Sequence, residues 1–119
     1  MEKLTSIIDL FSIIEKIEGN EWVYTNKEKW RLSPEQCAFW LIPESEVDNM
    51  PDDEVYESDS GPFLPLSLKD ENLHPWMTVD ALHGVVQNLK IKNVNSGNLH
   101  ATVQGINHYL EYDDFLDEN

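Results

Sequence analysis

Lysine and arginine are missing from two long stretches of this chain, residues 32–68 and 93–119. Only eight basic residues occur among 119, and they lie outside those stretches. So sparse and dispersed a basic complement excludes direct nucleic-acid binding, which needs a basic patch to neutralise phosphates. One cysteine, Cys37, excludes an intrachain disulfide and gives no sign of an oxidising compartment. No apolar run approaches the roughly 18 residues that read as a membrane span. The N-terminal apolar stretch is broken by Asp9 and Glu15 and lacks a small-residue cleavage site, so it is not read as a signal peptide. The expectation is a soluble cytoplasmic protein.

What is present is acid and aromatic surface. The formal charge of −15 divides into −1 over residues 1–31, −9 over 32–68, zero over 69–92 and −5 over 93–119. The largest block holds Glu35, Glu44, Glu46, Asp48, Asp52, Asp53, Glu54, Glu57 and Asp59. A surface that serves only solubility normally mixes both signs. A block without one compensating base instead points to a basic partner, because a lopsided field steers such a surface into contact. Hydrophobic residues at 40% and twelve aromatics (four each of Phe, Trp and Tyr) exclude an acidic disordered chain. Length argues for a single domain.

Apolar spacing predicts a helix over residues 4–17, with Leu4, Ile7, Ile8, Phe11, Ile14 and Ile17 on one face. Thr5 or Ser6 is suited to cap it, and Gly19-Asn20 to stop it. Residues 22–24 and 30–32 read as short strands, with residues 25–29 as the turn between them. The continuous apolar run 37–42, closed by Pro43, reads as a central strand buried on both faces. Residues 63–68 form a further candidate, held to an edge by Pro65. Residues 43–62 have no clear period and read as a long acidic loop, with a short helix over 44–50 as the alternative. The second half reads as mainly helical. Thr78 caps a helix over 79–89 with Leu82, Val85, Val86 and Leu89 inward. A last helix starts at Ser96 or Asn98, carries Leu99, Val103, Ile106, Tyr109 and Leu110 on one face, and frays near Asp113, with Phe115 and Leu116 docking back. The expected fold is therefore α+β: a small antiparallel sheet packed with an N-terminal helix and two or more C-terminal helices.

Catalytic chemistry finds little support. His100 and His108 share a helical face but stand about 12 Å apart at 1.5 Å rise per residue, too far to share an ion. No HExxH or CxxC spacing supplies other ligands. Cys37 lies in an aromatic run of a strongly negative chain, which disfavours the thiolate a nucleophile needs. Ser58, Ser60 and Gly61 do not make a nucleophile elbow. Asp52-Asp53-Glu54 resembles part of a hard-cation site but lacks the EF-hand glycine and spacing. The expectation is a protein that is not an enzyme, with no cofactor and no dedicated metal site. Binding remains, with Glu44, Glu46, Asp48, Asp52, Asp53, Glu54, Glu57 and Asp59 as contacts and Tyr56 and Trp76 as anchors. Interfaces commonly set aromatic anchors within a polar rim.

Four stretches carry a resemblance: Glu21-Trp22-Val23-Tyr24, Trp30-Arg31-Leu32, Cys37-Ala38-Phe39-Trp40-Leu41, and the ending Gly105-Ile106-Asn107-His108-Tyr109-Leu110-Glu111-Tyr112-Asp113-Asp114-Phe115. Together they are similar to small acidic bacterial immunity proteins of polymorphic toxin and contact-dependent growth inhibition systems. The resemblance implies stoichiometric neutralisation of a cognate toxin C-terminal domain with a basic surface, a nuclease being the expected class. It assigns no binding residue. Two other readings stay open at this level: an acidic DNA mimic acting on a DNA-binding protein, and a small metal-dependent enzyme using the histidines.

Overall fold

The computed structural model describes residues 2–17, 21–58, 61, 63–91 and 99–112. The chain runs through β1 (Glu2–Leu4), α1 (Ile7–Ile14), β2 (Trp22–Thr25), α2 (Lys27–Leu32), β3 (Phe39–Leu41), α3 (Glu44–Asp48), β4 (Val55–Glu57), β5 (Phe63–Pro65), β6 (His74–Thr78), α4 (Val79–Ile91) and α5 (Leu99–Tyr112). Short 3₁₀ turns occupy Pro34–Gln36, Asp52–Glu54 and Leu66–Glu71. Four strands form one antiparallel sheet in the order β1-β3-β2-β6, and β4 with β5 forms a separate antiparallel pair. This is the α+β architecture expected from the hydrophobic pattern.

The centre of the sheet follows from period-two burial. On β3, Phe39 enters one core and Trp40 the other, so the strand is covered on both faces as its uninterrupted apolar run predicts. Val23 and Tyr24 of β2 divide the same way. The larger core gathers Ile7, Leu10, Phe11 and Ile14 of α1, Leu82, Val85, Val86 and Leu89 of α4, and Ile106 of α5 against Val23, Phe39, Trp76 and Met77. Trp30, Phe39 and Trp76 form an aromatic triplet within it, with ring centroids 4.9–6.0 Å apart in the tilted and edge arrangements that ring quadrupoles favour. The smaller core joins Tyr24, Trp40 and Ile42 to Leu64 and Leu73. It fastens the acidic part of the chain to the sheet face opposite the helices.

Helix boundaries depart from apolar spacing in instructive ways. Ser6 is extended and its side chain accepts from the Asp9 backbone N–H at 3.1 Å, which starts α1 three residues later than the apolar stripe suggests. Leu4, the first member of that stripe, belongs instead to β1, paired with Phe39. α1 ends at Ile14 with Glu15 as its C-cap, short of the expected residue 17, and the Gly19-Asn20 stop signal lies outside the described residues. Residues 30–32, expected as a strand, close α2: the Asn26 Oδ1 accepts from both Glu28 and Lys29 backbone N–H groups at 3.1 Å and forces a helical first turn. The helix drives Trp30 into the core, where its Nε1–H donates to Asn107 Oδ1 at 2.9 Å. Thr78 caps α4 as expected, accepting from the Ala81 N–H at 3.2 Å.

The stretch 43–62, expected as an acidic loop with a short helix over 44–50 as the alternative, carries that helix as α3, followed by a 3₁₀ turn and β4, over the residues described. The Pro43 carbonyl accepts from Glu46 and Val47 N–H groups, and Val47 packs on the smaller core, so burial organises what periodicity did not reveal. The strand over 63–68 is confined to β5, where Pro65 opposes Val55. β6 interrupts a half read as mainly helical. Among the described residues it pairs only with β2, with a register shift between Val23 and Tyr24. That edge position and irregularity accommodate Pro75, which has no N–H to donate. The start of the last helix near 96–98 and the docking of Phe115 and Leu116 lie outside the described residues.

Candidate binding surface

The acidic residues nominated from sequence are spread over consecutive short elements. Glu44, Glu46 and Asp48 lie on α3, Asp52, Asp53 and Glu54 on the following 3₁₀ turn, and Glu57 on β4. All except half-buried Glu46 are exposed. Asp59 lies outside the described residues. The block does not converge on one point. Glu44 and Asp48 border a cleft with β2 and β5, Asp53 and Glu54 border another with Pro65 and Leu66, and Glu57 borders a third with Lys69, Asp70 and His74.

The two nominated anchors do not present free rings. Tyr56 is half-buried against the smaller core. Trp76 requires a plain correction: it is 6% exposed and packed between Trp30 and Phe39. Its ring is committed to the fold, and its buried Nε1–H has no hydrogen-bond partner among the described residues. Among the described residues the exposed aromatics are instead Trp22, 46% exposed, and Phe63, 55% exposed. Both line the cleft shared by Glu44 and Asp48.

That cleft, about 390 Å³, is bounded by Glu21, Trp22, Tyr24, Ile42, Glu44, Val47, Asp48 and Phe63. Trp22 and Tyr24 reach it together because alternate residues of a strand share a face. Glu44 and Asp48 reach it together because they are four apart on a helix. Tyr24 and Ile42 are its buried members. Burial pushes the Tyr24 phenol above its ordinary range, and the carboxylates of Glu44 and then Glu21 push it further in the same direction. Three carboxylates therefore share the cleft with two exposed rings, and among the described residues no lysine or arginine lines it. Glu21 and Trp22 were not nominated from sequence. The alternation of Trp22 with Tyr24 was the available signal, hidden because their acidic neighbours on α3 lie some twenty residues further along.

Nothing comparable surrounds the cysteine. Cys37 is fully buried. The Thr25 hydroxyl lies 2.7 Å from the Ala38 carbonyl oxygen and 2.9 Å from the Cys37 sulfur. Burial raises the Cys37 pKa, opposed by the Thr25 contact and by Lys29, and the net direction keeps the sulfur protonated and unreactive. Of the histidines, His83 uses Nε2 to hydrogen-bond the Ile14 carbonyl at the end of α1. Nearby, Lys90 pairs with Glu15. Both contacts join α1 to α4. Among the described residues, no group of three or more His, Cys, Asp or Glu side chains could hold a metal ion. Among them, no helix is long and apolar enough to cross a membrane.

No family model matches the chain, and neither a curated protein nor a solved structure matches it.

Proposed function

We propose that this protein binds the basic surface of a protein partner and neutralises it stoichiometrically, without turnover, as an immunity protein does for a toxin in the cytoplasm of the cell it protects. The observation that carries the reading is the cleft where exposed Trp22 and Phe63 stand among Glu21, Glu44 and Asp48, with no basic residue in its lining among the described residues. Exposed carboxylates over α3, the following 3₁₀ turn and β4 extend the same sign beyond it. Charge of this kind accelerates encounter, while desolvated aromatic anchors slow release. A nuclease is the partner class that best complements it, since a phosphate-binding cleft must itself be basic.

The test uses the toxin domain encoded beside this protein's gene. Charge reversal of Glu44, Asp48, Asp52, Asp53 and Glu57 to Lys should slow association at low salt by more than about tenfold and abolish protection of cells expressing the toxin domain. Intact binding and protection by that folded variant would refute the acidic surface as the contact. If the adjacent gene encodes no basic protein that the native chain captures, the toxin-neutralising reading fails.

A further inference from the structure

We propose that the cleft between β2, α3 and β5 is a receptor for an arginine side chain of the protein partner. The inference deepens the basic-partner reading above and rests on it, by naming the group recognised and the place.

Four features converge on a guanidinium. First, Glu21, Glu44 and Asp48 make no ion pair with any described residue, so their charges are available to an incoming cation. Second, Trp22 and Phe63 leave about half their surface in solvent at the same cleft. A hydrophobic ring normally gains by burial, so two exposed at one site mark a surface completed by another molecule. Third, Tyr24 is only 8% exposed and lines the cleft, and its phenol hydroxyl makes no hydrogen bond to the described residues. That hydroxyl is not one of the fully buried orphan atoms, so a ligand in the cleft can reach it, and the raised pKa keeps it protonated, able to accept from an N–H donor. Fourth, the carboxylates do not gather into a metal-binding group. They are spaced around a volume of about 390 Å³, near the lower end of sites that enclose small organic groups.

Arginine satisfies all four at once. Its planar guanidinium stacks on an aromatic face while its edge donates to carboxylates and to a hydroxyl. A lysine ammonium is a more strongly hydrated point charge and cannot both stack and fork. The apolar Ile42 and Val47 in the same lining suit the methylene stem, which long cationic side chains bury readily.

The experiment titrates the full-length, isotope-labelled chain with capped Gly-Ser-Arg-Ser-Gly, following the indole N–H resonance of Trp22 and, in every variant, the backbone amide resonances of Glu44 and Val47 in the same cleft. Parallel titrations use peptides carrying Lys or citrulline, the uncharged isostere, in place of Arg. The arginine peptide should shift Trp22 and bind about 3–10-fold more tightly than the lysine peptide, with citrulline weaker still. Trp22→Ala, the conservative Trp22→Phe, Glu44→Gln and Asp48→Asn serve as cleft variants, each checked for native dispersion. Trp22→Ala and Glu44→Gln should each weaken arginine binding, Trp22→Phe should retain part of it, and Asp53→Asn outside the cleft should leave it unchanged. Equal binding of arginine and citrulline peptides, or full affinity in folded Trp22→Ala, would overturn the proposal. Octa-arginine separates the two levels of inference. If its salt-sensitive binding ignores Trp22→Ala but weakens on neutralising Asp52, Asp53 and Glu54, the cleft assignment fails and the basic-partner reading stands. If octa-arginine does not bind at all, both fail.

Discussion

Replacing Gly105 with alanine should stabilise this protein, although the glycine is buried where α5 packs against α4. A buried glycine at a helix contact invites the opposite expectation, that only a hydrogen fits. The geometry decides the sign. A β-carbon built at Gly105 would lie 3.6 Å from Val85 Cγ1 and 3.7 Å from Leu89 Cδ2, ordinary van der Waals separations that displace nothing. Alanine would then recover the helix-propensity cost of an interior glycine, about 1 kcal/mol. The same methyl also removes apolar surface from water, worth up to about 0.8 kcal/mol where the fit is complete. The expected gain is therefore about 1–2 kcal/mol, corresponding to a Tm rise of roughly 4–8 °C for a domain near this size. Thermal and urea unfolding followed by far-UV circular dichroism should both show it, with the urea m-value unchanged. Gly105→Leu supplies the control. Its longer side chain meets Val85 and Leu89 and should cost about 1–3 kcal/mol by overpacking. A destabilised Gly105→Ala would mean that α4 and α5 approach more closely than these distances allow, refuting the packing argument for this pair.

Three further outcomes follow from named contacts. Ser6→Ala removes the acceptor for the Asp9 N–H and should cost about 1 kcal/mol by chemical denaturation, whereas Ser6→Asp should retain most of the stability. Cys37 should resist a thiol reagent in the folded protein at pH 8 and react promptly in guanidinium. Because its folded pKa is raised, its contribution is intact below an unfolded thiol's value of about 8.5 and is lost as pH rises through the folded value; a pH series of unfolding curves should fall less steeply for Cys37→Ala, and equal slopes would refute the linkage. Raising salt from about 10 mM to 150 mM shortens the Debye length from about 30 Å to 8 Å. With a formal charge of −15, it should raise the free protein's Tm by relieving self-repulsion and slow association with a basic partner, and a lowered Tm would count against repulsion as the dominant surface term.

Much of the fold was legible because several signals agreed within short windows. α1 and α4 each combine a hydroxyl cap, Ser6 or Thr78, with inward apolar residues at helical spacing. The 37–42 run contains β3, whose Phe39 and Trp40 enter opposite cores. Legibility failed where a local signal met a stronger non-local one. Trp30-Arg31-Leu32 has strand-like composition, yet one amide oxygen, Asn26 Oδ1, binds two N–H groups and begins a helix. Pro75 argues against a strand until β6 is known to be an edge. The acidic block was visible as charge. Its division among three clefts was not, and neither was the burial of Trp76, because both depend on which elements the two cores bring together.

The cleft illustrates why such a site is difficult to read along a chain and simple to disrupt. α3 has five residues and no side-chain cap, far below the length at which a helix persists by itself. What holds it is Val47 packed against the core that Tyr24, Trp40, Ile42 and Leu64 build. The same core fixes Tyr24 from β2, and through Leu64 it fixes the strand that bears Phe63. Three elements distant in sequence are thereby set around one volume before any partner arrives, which reduces the ordering cost that association would otherwise carry. The geometry of the cleft is thus coupled to stability through the smaller core rather than through the larger one. A substitution such as Leu64→Ala, removing a fully buried side chain from that core, would loosen the aromatic and carboxylate walls of the cleft together while leaving the packing of α1, α4 and α5 on the opposite face in place.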